Sequence, residues 1–341
     1  MIITSTGFSN TGSSAITHIL SEFSVVQNSD KTTEFRLLYD ADCICDLEYN
    51  LITNPHRHNT SNAIKRFKKF VDFNTNPLLN HHYEKIFKNQ FKKLSYEYIN
   101  DICDMIYKGM YFGDVYNRGK LFWFVNRCYQ KIITYVCKIK KLLSILPLNI
   151  VPKNELCYAG TFSEKKFLQA TKKYIKNLLE VANGKDVKYT LIDQFFPPSN
   201  VDHYFRFIPD DEECKVFIVQ RDPRDLYCIA KCFLNNRIIP TESAEVFCDW
   251  FLWTRGQAVK SKDKDRVMYI QFEDLVYKYE QTRKKICKFV GIDINSECNQ
   301  KSNFDPLKSI NNTQTFIRFK DKIDPKEIEY IEKKLGKYCY N

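Results

Sequence analysis

Apolar positions recur with two periods along the chain. Ile2 to Ser5 reads as a short strand that runs into a turn. Beyond the turn, Ala15, Ile16, Ile19, Leu20 and Phe23 repeat at the spacing of one helix face. A second strand is expected over Phe35 to Tyr39, ahead of a short acidic stretch. From about Asn54 to Leu179 the pattern is helical, with Phe, Tyr and Ile set among Lys and Asn and a break at Pro147 and Pro152. Strand patterns return at Tyr189 to Ile192, Val216 to Val219 and Val267 to Ile270; the last two lead into helical patterns at Leu226 to Phe233 and Tyr279 to Val290. Asp324 and Pro325 open a final helix through Leu335, with Pro at its first turn. Strands alternating with helices predict an α/β fold, a parallel sheet flanked by helices. The long helical stretch divides the expected core, residues 1–53 and 181–341, from an insertion at 54–180 read as a lid or acceptor-binding subdomain.

Composition narrows the classes. With 341 residues, 44% apolar and 15% aromatic, the chain can bury a full core and is not of the disordered class. Ten Gly and eleven Pro exclude collagen-like and low-complexity architectures. No run approaches the roughly eighteen apolar residues of a transmembrane helix, and the start MIITSTGFSN lacks the basic-then-apolar pattern of a secretory leader. Thirteen Cys without a repeating spacing predict reduced thiols and a cytoplasmic location, with contact at the inner face of a membrane as a variant. The pairs Cys43/Cys45 and Cys228/Cys232 lack matching second pairs, so no metal is expected. The net charge of +11 is concentrated: between Ser61 and Lys141 sixteen basic residues face six acids. Such a window suits an anionic partner, or is a solvated helical face.

Three blocks carry candidate chemistry. Gly7-Phe8-Ser9-Asn10-Thr11-Gly12-Ser13-Ser14 follows a strand and opens a helix, with the two-glycine spacing of a phosphate-binding loop. Lys is absent at Ser13, which disfavours ordinary nucleoside triphosphate hydrolysis. The plainer reading is a capped helix after a Gly turn. In the second block the strand Val216 to Val219 ends in Arg221, with Pro223 opening a helix. Arg221 at that edge suits a bidentate phosphate contact, and Arg224 with Asp225 suits a helix-start ion pair. The third block, Tyr269 to Leu275, is a strand with Glu273 and Asp274 at its end.

In this order the blocks resemble sulfotransferases that use 3′-phosphoadenosine-5′-phosphosulfate (PAPS), in a bacterial carbohydrate-modifying branch with a P-loop-like three-layer fold. The resemblance covers roughly the first 25 residues and residues 187–335, and rests on Gly7 to Ser14, on Arg221, Pro223 and Asp225, and on Glu273, Asp274, Leu275, Phe289 and Gly291. It implies that Gly7, Ser9, Asn10, Thr11, Gly12, Ser13 and Ser14 hold the 5′-phosphosulfate and that Arg221 holds the 3′-phosphate, without a metal. It also implies that Arg318 and Lys320, in a basic segment before the last helix, cover the nucleotide. Asn10 stands where many members have a cation, and Ile229 where many have a second phosphate ligand. Arg36, Arg57, Arg318 and Lys320 are candidates for the missing cation.

Sulfotransferases use His or an acid as general base, and Asp193, Glu34, Asp40 and His56 are candidates. His18, His81, His82 and His203 are read as structural. The implied acceptor is a carbohydrate or glycolipid, a cell-surface polysaccharide or its lipid-linked precursor, and no nucleic acid is expected. The stretches Lys120 to Val125 and Ile132 to Leu146 are read as core-packing, with an interfacial face toward an anionic membrane as the alternative. Two competing readings are a small-molecule kinase with a degenerate loop and a non-catalytic basic module binding an anionic polymer or membrane.

Overall fold

A computed structural model describes residues 1–28, 34–79, 82–111, 113–140, 149–150, 155–183, 187–234, 238–296 and 298–340. His81 and the expected break at Pro147 and Pro152 lie outside these residues. The chain forms two compact units: Met1–Tyr39, His82–Asn89 and Ile175–Asn341 make the first, Asp40–His81 and Gln90–Tyr174 the second.

Seven strands occur among the described residues: β1 (Ile2–Gly7), β2 (Val26–Asn28), β3 (Met105–Lys108), β4 (Leu156–Ala159), β5 (Tyr189–Asp193), β6 (Cys214–Gln220) and β7 (Val267–Gln271). The helices used below are α1 (Ser14–Leu20), α2 (Arg57–Asn74), α3 (Lys120–Lys140), α4 (Pro223–Cys232), α5 (Ala244–Gly256), α6 (Tyr279–Val290) and α7 (Pro325–Leu335).

The first unit is α/β, built on a five-stranded sheet in the order β2-β5-β1-β6-β7. Every pairing in it is parallel, with Ile2 opposite Thr190 on one side and Cys214 on the other. Strand β6 is buried on both faces, Val216 to Val219 being inaccessible, as an uninterrupted apolar run in a parallel sheet requires. Ile3, Leu191, Phe217 and Val219 share one core with Ile16 and Ile19 of α1 and with Ile286 and Val290 of α6. A second core joins α4, α5 and α7 through Leu226, Phe247, Phe251 and Ile331. The chain leaves β1 toward the β2 edge and leaves β6 toward β7. Opposite exits from adjacent strands open a crevice at their carboxyl ends, the place where α/β sheets bind ligands.

The strand expected at Phe35 to Tyr39 is absent. The N–H of Phe35 donates to the Asp193 carbonyl at 2.9 Å, and a turn follows as Tyr39 N–H bonds the Arg36 carbonyl. The flank of β5 is already taken by the short, unexpected strand β2, so Phe35 is held by rings instead, 4.9 Å from Tyr83 and 5.8 Å from Phe195.

In the second unit, Ala63, Ile64, Phe67 and Val71 form the buried face of α2. Tyr98 stacks on Tyr174 at 4.7 Å and bonds the Thr171 hydroxyl. The helical run is interrupted by the antiparallel pair β3–β4, Met105 opposite Ala159, whose two four-residue strands are too short and too far apart in sequence to show a period. The stretch of α3 read as core-packing lies outside: Leu121, Trp123, Phe124, Val125, Ile132 and Tyr135 are all exposed. Its inner face is fixed instead by polar Asn126, whose side-chain amide donates to Asn149 and accepts from the Ile150 N–H.

Candidate functional site

The three sequence blocks meet at the β1–β6 crevice. After β1 the backbone turns through left-handed conformations at Ser9 (φ 63°), Asn10 (φ 51°) and Gly12 (φ 85°), then enters α1 from a right-handed Ser13. The step from left-handed Gly12 to right-handed Ser13 is the kind of backbone alternation that forms an anion-binding concavity. Among the described residues, no protein acceptor takes the backbone N–H groups of Asn10 to Ser14. Both glycines are sterically required. A Cβ on Gly7 would collide with the Thr11 hydroxyl, and one on Gly12 would lie 2.6 Å from the Phe272 ring.

Arg221 is buried and makes no ion pair among the described residues. Its Nη1 donates to the Asn10 carbonyl at 3.1 Å, its Nη2 to the Asn312 carbonyl, and its guanidinium lies 4.8 Å from the Phe272 ring centre. Burial lowers its pKa. The side chain expected to hold a phosphate therefore also latches the loop to the 310–315 segment. Asp225 seats the same segment, accepting from the N–H groups of Gln314 and Thr315 at 2.8 and 2.6 Å. Arg224 pairs with Asp222 and Glu332, so the helix-start pair with Asp225 is not formed. The third block joins through Glu273, which accepts from the Asp222 N–H at 2.9 Å. Burial raises the Glu273 carboxyl to about 7. Asn10 Nδ2, Thr11 Oγ1, Arg221 Nε and Glu273 Oε2 are all buried and unpartnered, so unsatisfied polarity converges here.

Asp193 ends β5 beside the loop. Its Oδ1 accepts from the Ser5 hydroxyl at 3.0 Å and the Thr17 hydroxyl at 3.4 Å, which ties α1 to the sheet. Burial, and secondarily the charge of Glu34, push its carboxyl up to about 6. Gln194 was not foreseen from the sequence. Its Oε1 accepts from Thr6 at 3.0 Å and its Nε2 donates to Ser13 Oγ at 2.9 Å, so the Ser13 oxygen serves as an acceptor here.

The remaining candidates are dispersed. Glu34 is half-exposed, 3.8 Å from Arg36. Asp40 and His56 belong to the second unit, where Asp40 caps the Ala41 N–H and His56 stands exposed before α2. Arg57 in that unit bonds His58. Arg318 turns back on its own segment, bonding Asn311 and the carbonyls of Ile310 and Thr313, while Lys320 is exposed.

A cation near the loop comes instead from α5. Arg255 lies 4.7 Å from the Phe8 ring centre and 3.5 Å from that of Phe251, with no carboxylate partner among the described residues. Burial lowers its pKa to about 9, so it remains charged at neutral pH. No spacing in the sequence links it to the loop, because it arrives from another helix.

The second unit has its own cavity of about 420 Å³, with Lys65, Arg66, Lys68, Lys69 and Arg118 on its walls. Lys65 is paired with Asp114 and Glu155, Arg66 with Asp42 and Asp46, and Arg118 with Glu155. Three of the five cations on the cavity wall are thus paired with carboxylates. All thirteen cysteines are free thiols, and no helix among the described residues is long and apolar enough to cross a membrane. No family model matches the chain.

With Asp225 shifted in the same direction by burial, the raised carboxyls of Asp193 and Glu273 predict a pH dependence of stability. Each holds its proton more tightly folded than unfolded, so its favourable contribution is present at low pH. It is lost as pH rises, from about 4 to 6 for Asp193 and from about 4.5 to 7 for Glu273. Each contributes at most about 3 kcal/mol. Urea unfolding at either end of this window should show a smaller pH-dependent loss in Glu273→Gln and Asp193→Asn than in the parent. An identical loss in all three would contradict the burial argument.

Proposed function

We propose that the first unit binds PAPS at the β1–β6 crevice and transfers its sulfuryl group to a hydroxyl or amine of a carbohydrate acceptor. The observation that carries the reading is the row of unpartnered backbone N–H groups at the loop, set where the three sulfotransferase-like blocks converge. Oriented amides in a crevice stabilise charge as it moves to a leaving phosphate, with no reorganisation at the moment of reaction.

In this reading the amides of Asn10 to Ser14 and the Ser13 and Ser14 hydroxyls hold the sulfuryl and 5′-phosphate oxygens. The acceptor oxygen or nitrogen attacks sulfur, the sulfur–oxygen bond to the 5′-phosphate breaks, and 3′-phosphoadenosine-5′-phosphate (PAP) departs. Asp193 takes the acceptor proton through Oδ2, because Oδ1 is occupied; a carboxyl near 6 is mostly ionised at neutral pH and still basic. Arg255 supplies the positive charge that Asn10 cannot. Arg221 reaches the 3′-phosphate through its unpartnered Nε–H and remaining guanidinium hydrogens while keeping the Asn10 and Asn312 carbonyls, which couples donor binding to the 310–319 segment. The acceptor is assigned to polysaccharide or lipid-linked glycan chemistry on the resemblance alone, and the free thiols fit a reducing compartment.

Calorimetry with PAP, AMP and ATP–Mg²⁺ tests the donor assignment without an acceptor. PAP should bind at least about tenfold more tightly than AMP, the discrimination of one charge-assisted phosphate contact. Preference for ATP–Mg²⁺ would favour phosphoryl transfer, and no nucleotide binding would overturn the reading. Arg255→Met separates function from structure. Removing an unpaired, partly buried charge should leave the unfolding midpoint unchanged or raised. Turnover of PAPS should fall roughly a hundredfold; unchanged turnover would remove Arg255 from the site.

A further inference from the structure

We propose that the second unit docks on an anionic lipid surface through the outer face of α3, independently of the chemistry assigned to the first unit. At 100° per residue, Leu121, Phe124, Val125, Cys128, Ile132 and Tyr135 fall on one stripe about 100° wide. All six are exposed, Leu121 at 78%, Phe124 at 62%, Ile132 at 61% and Tyr135 at 69%. The opposite side is anchored to the unit. Asn126 is 1% exposed, and Asn126 and Gln130 both bond Asn149. The apolar stripe is therefore held outward rather than rolled in.

Charge chooses the occupant. Helix α3 contains Lys120, Arg127, Lys131, Lys138 and Lys140 and no acid. Lys120, Arg127 and Lys131 fall within about 40° of one another, along one border of the stripe. Arg127 also lies 5.8 Å from the ring centre of Trp123, which is exposed beside it. An apolar stripe bordered by cations and aromatics is the composition of a helix lying in a membrane interface, its apolar side about 5–10 Å into the headgroup–acyl boundary. A second copy of this chain would bring the same positive border against itself, which disfavours self-pairing. The helix is about 31 Å long but does not qualify as a membrane span, so it lies on the surface rather than crossing it.

Co-sedimentation of the full chain with phosphatidylcholine vesicles, with and without phosphatidylglycerol, tests the proposal. The protein should partition onto the anionic vesicles and be released by salt. Phe124→Ser combined with Ile132→Ser should weaken partitioning about tenfold or more. Arg127→Glu combined with Lys131→Glu should weaken it by a similar factor. Both pairs are exposed, and unchanged unfolding midpoints would show that the fold is kept. Absence of partitioning onto anionic vesicles would overturn the proposal, as would partitioning unaffected by either pair. A dimer in sedimentation equilibrium that the Phe124/Ile132 variant disperses would assign the stripe to a second copy and equally overturn it.

Discussion

The crevice of the first unit depends on one guanidinium held by carbonyls rather than by a carboxylate. Arg221 bridges the Asn10 carbonyl of the loop and the Asn312 carbonyl of the closing segment, with the Phe272 ring against its face. The same ring forbids a side chain at Gly12, so loop conformation, arginine and aromatic plate fix one another. Removal of the guanidinium would free the Asn10 and Asn312 carbonyls and break the link between loop and closing segment. The neighbouring carboxylates are spent on backbone N–H groups and, for Asp222, on the Arg224 guanidinium as well. Asp222 takes the Arg224 and Tyr340 N–H groups, Asp225 those of Gln314 and Thr315, and Glu273 that of Asp222. Among the described residues, positive charge at the crevice is thus left without an ion-pair partner and the loop amides without acceptors.

That distribution contrasts with the second unit. There Lys65 and Arg66 of α2, and Arg118, are matched by Asp42, Asp46, Asp114 and Glu155, and Lys166 and Lys173 by Asp104 and Asp101. What the sequence presents as a single basic window is partly a set of internal ion pairs and partly the border of α3, where Lys120, Arg127 and Lys131 make no ion pair among the described residues. Only unmatched charge is available to a partner, because a cation already paired must give up its carboxylate to bind another anion.

Strand β6 was legible in the sequence because a parallel strand buried on both faces demands an uninterrupted apolar run, and β1, β5 and β7 because short β-branched and aromatic runs precede turn or helix signals. The loop was legible because Gly7 and Gly12 sit where side chains would collide. Phe35 to Tyr39 misled because its apolar residues are buried by rings and turns, and burial alone does not report a ladder. β2, β3 and β4 are too short to show a period. Arg255 and Gln194 were invisible for a different reason: their roles arise from residues far away in the chain, Phe8 and Ser13, and no local spacing encodes that proximity. The core-packing reading of α3 failed because its inner face is held by amides, which leaves the apolar side outward.

In the proposed site the loop amides receive an anion and Arg221 couples its binding to the closing segment. Hydrogen exchange of the intact protein with and without PAP measures both at once. The account predicts that PAP slows exchange of the amides of Asn10 to Ser14 together with those of residues 310–319. In Arg221→Ala the closing segment should no longer follow the loop. Exchange unchanged in both segments while PAP is demonstrably bound would contradict the account, because the nucleotide would then occupy another surface.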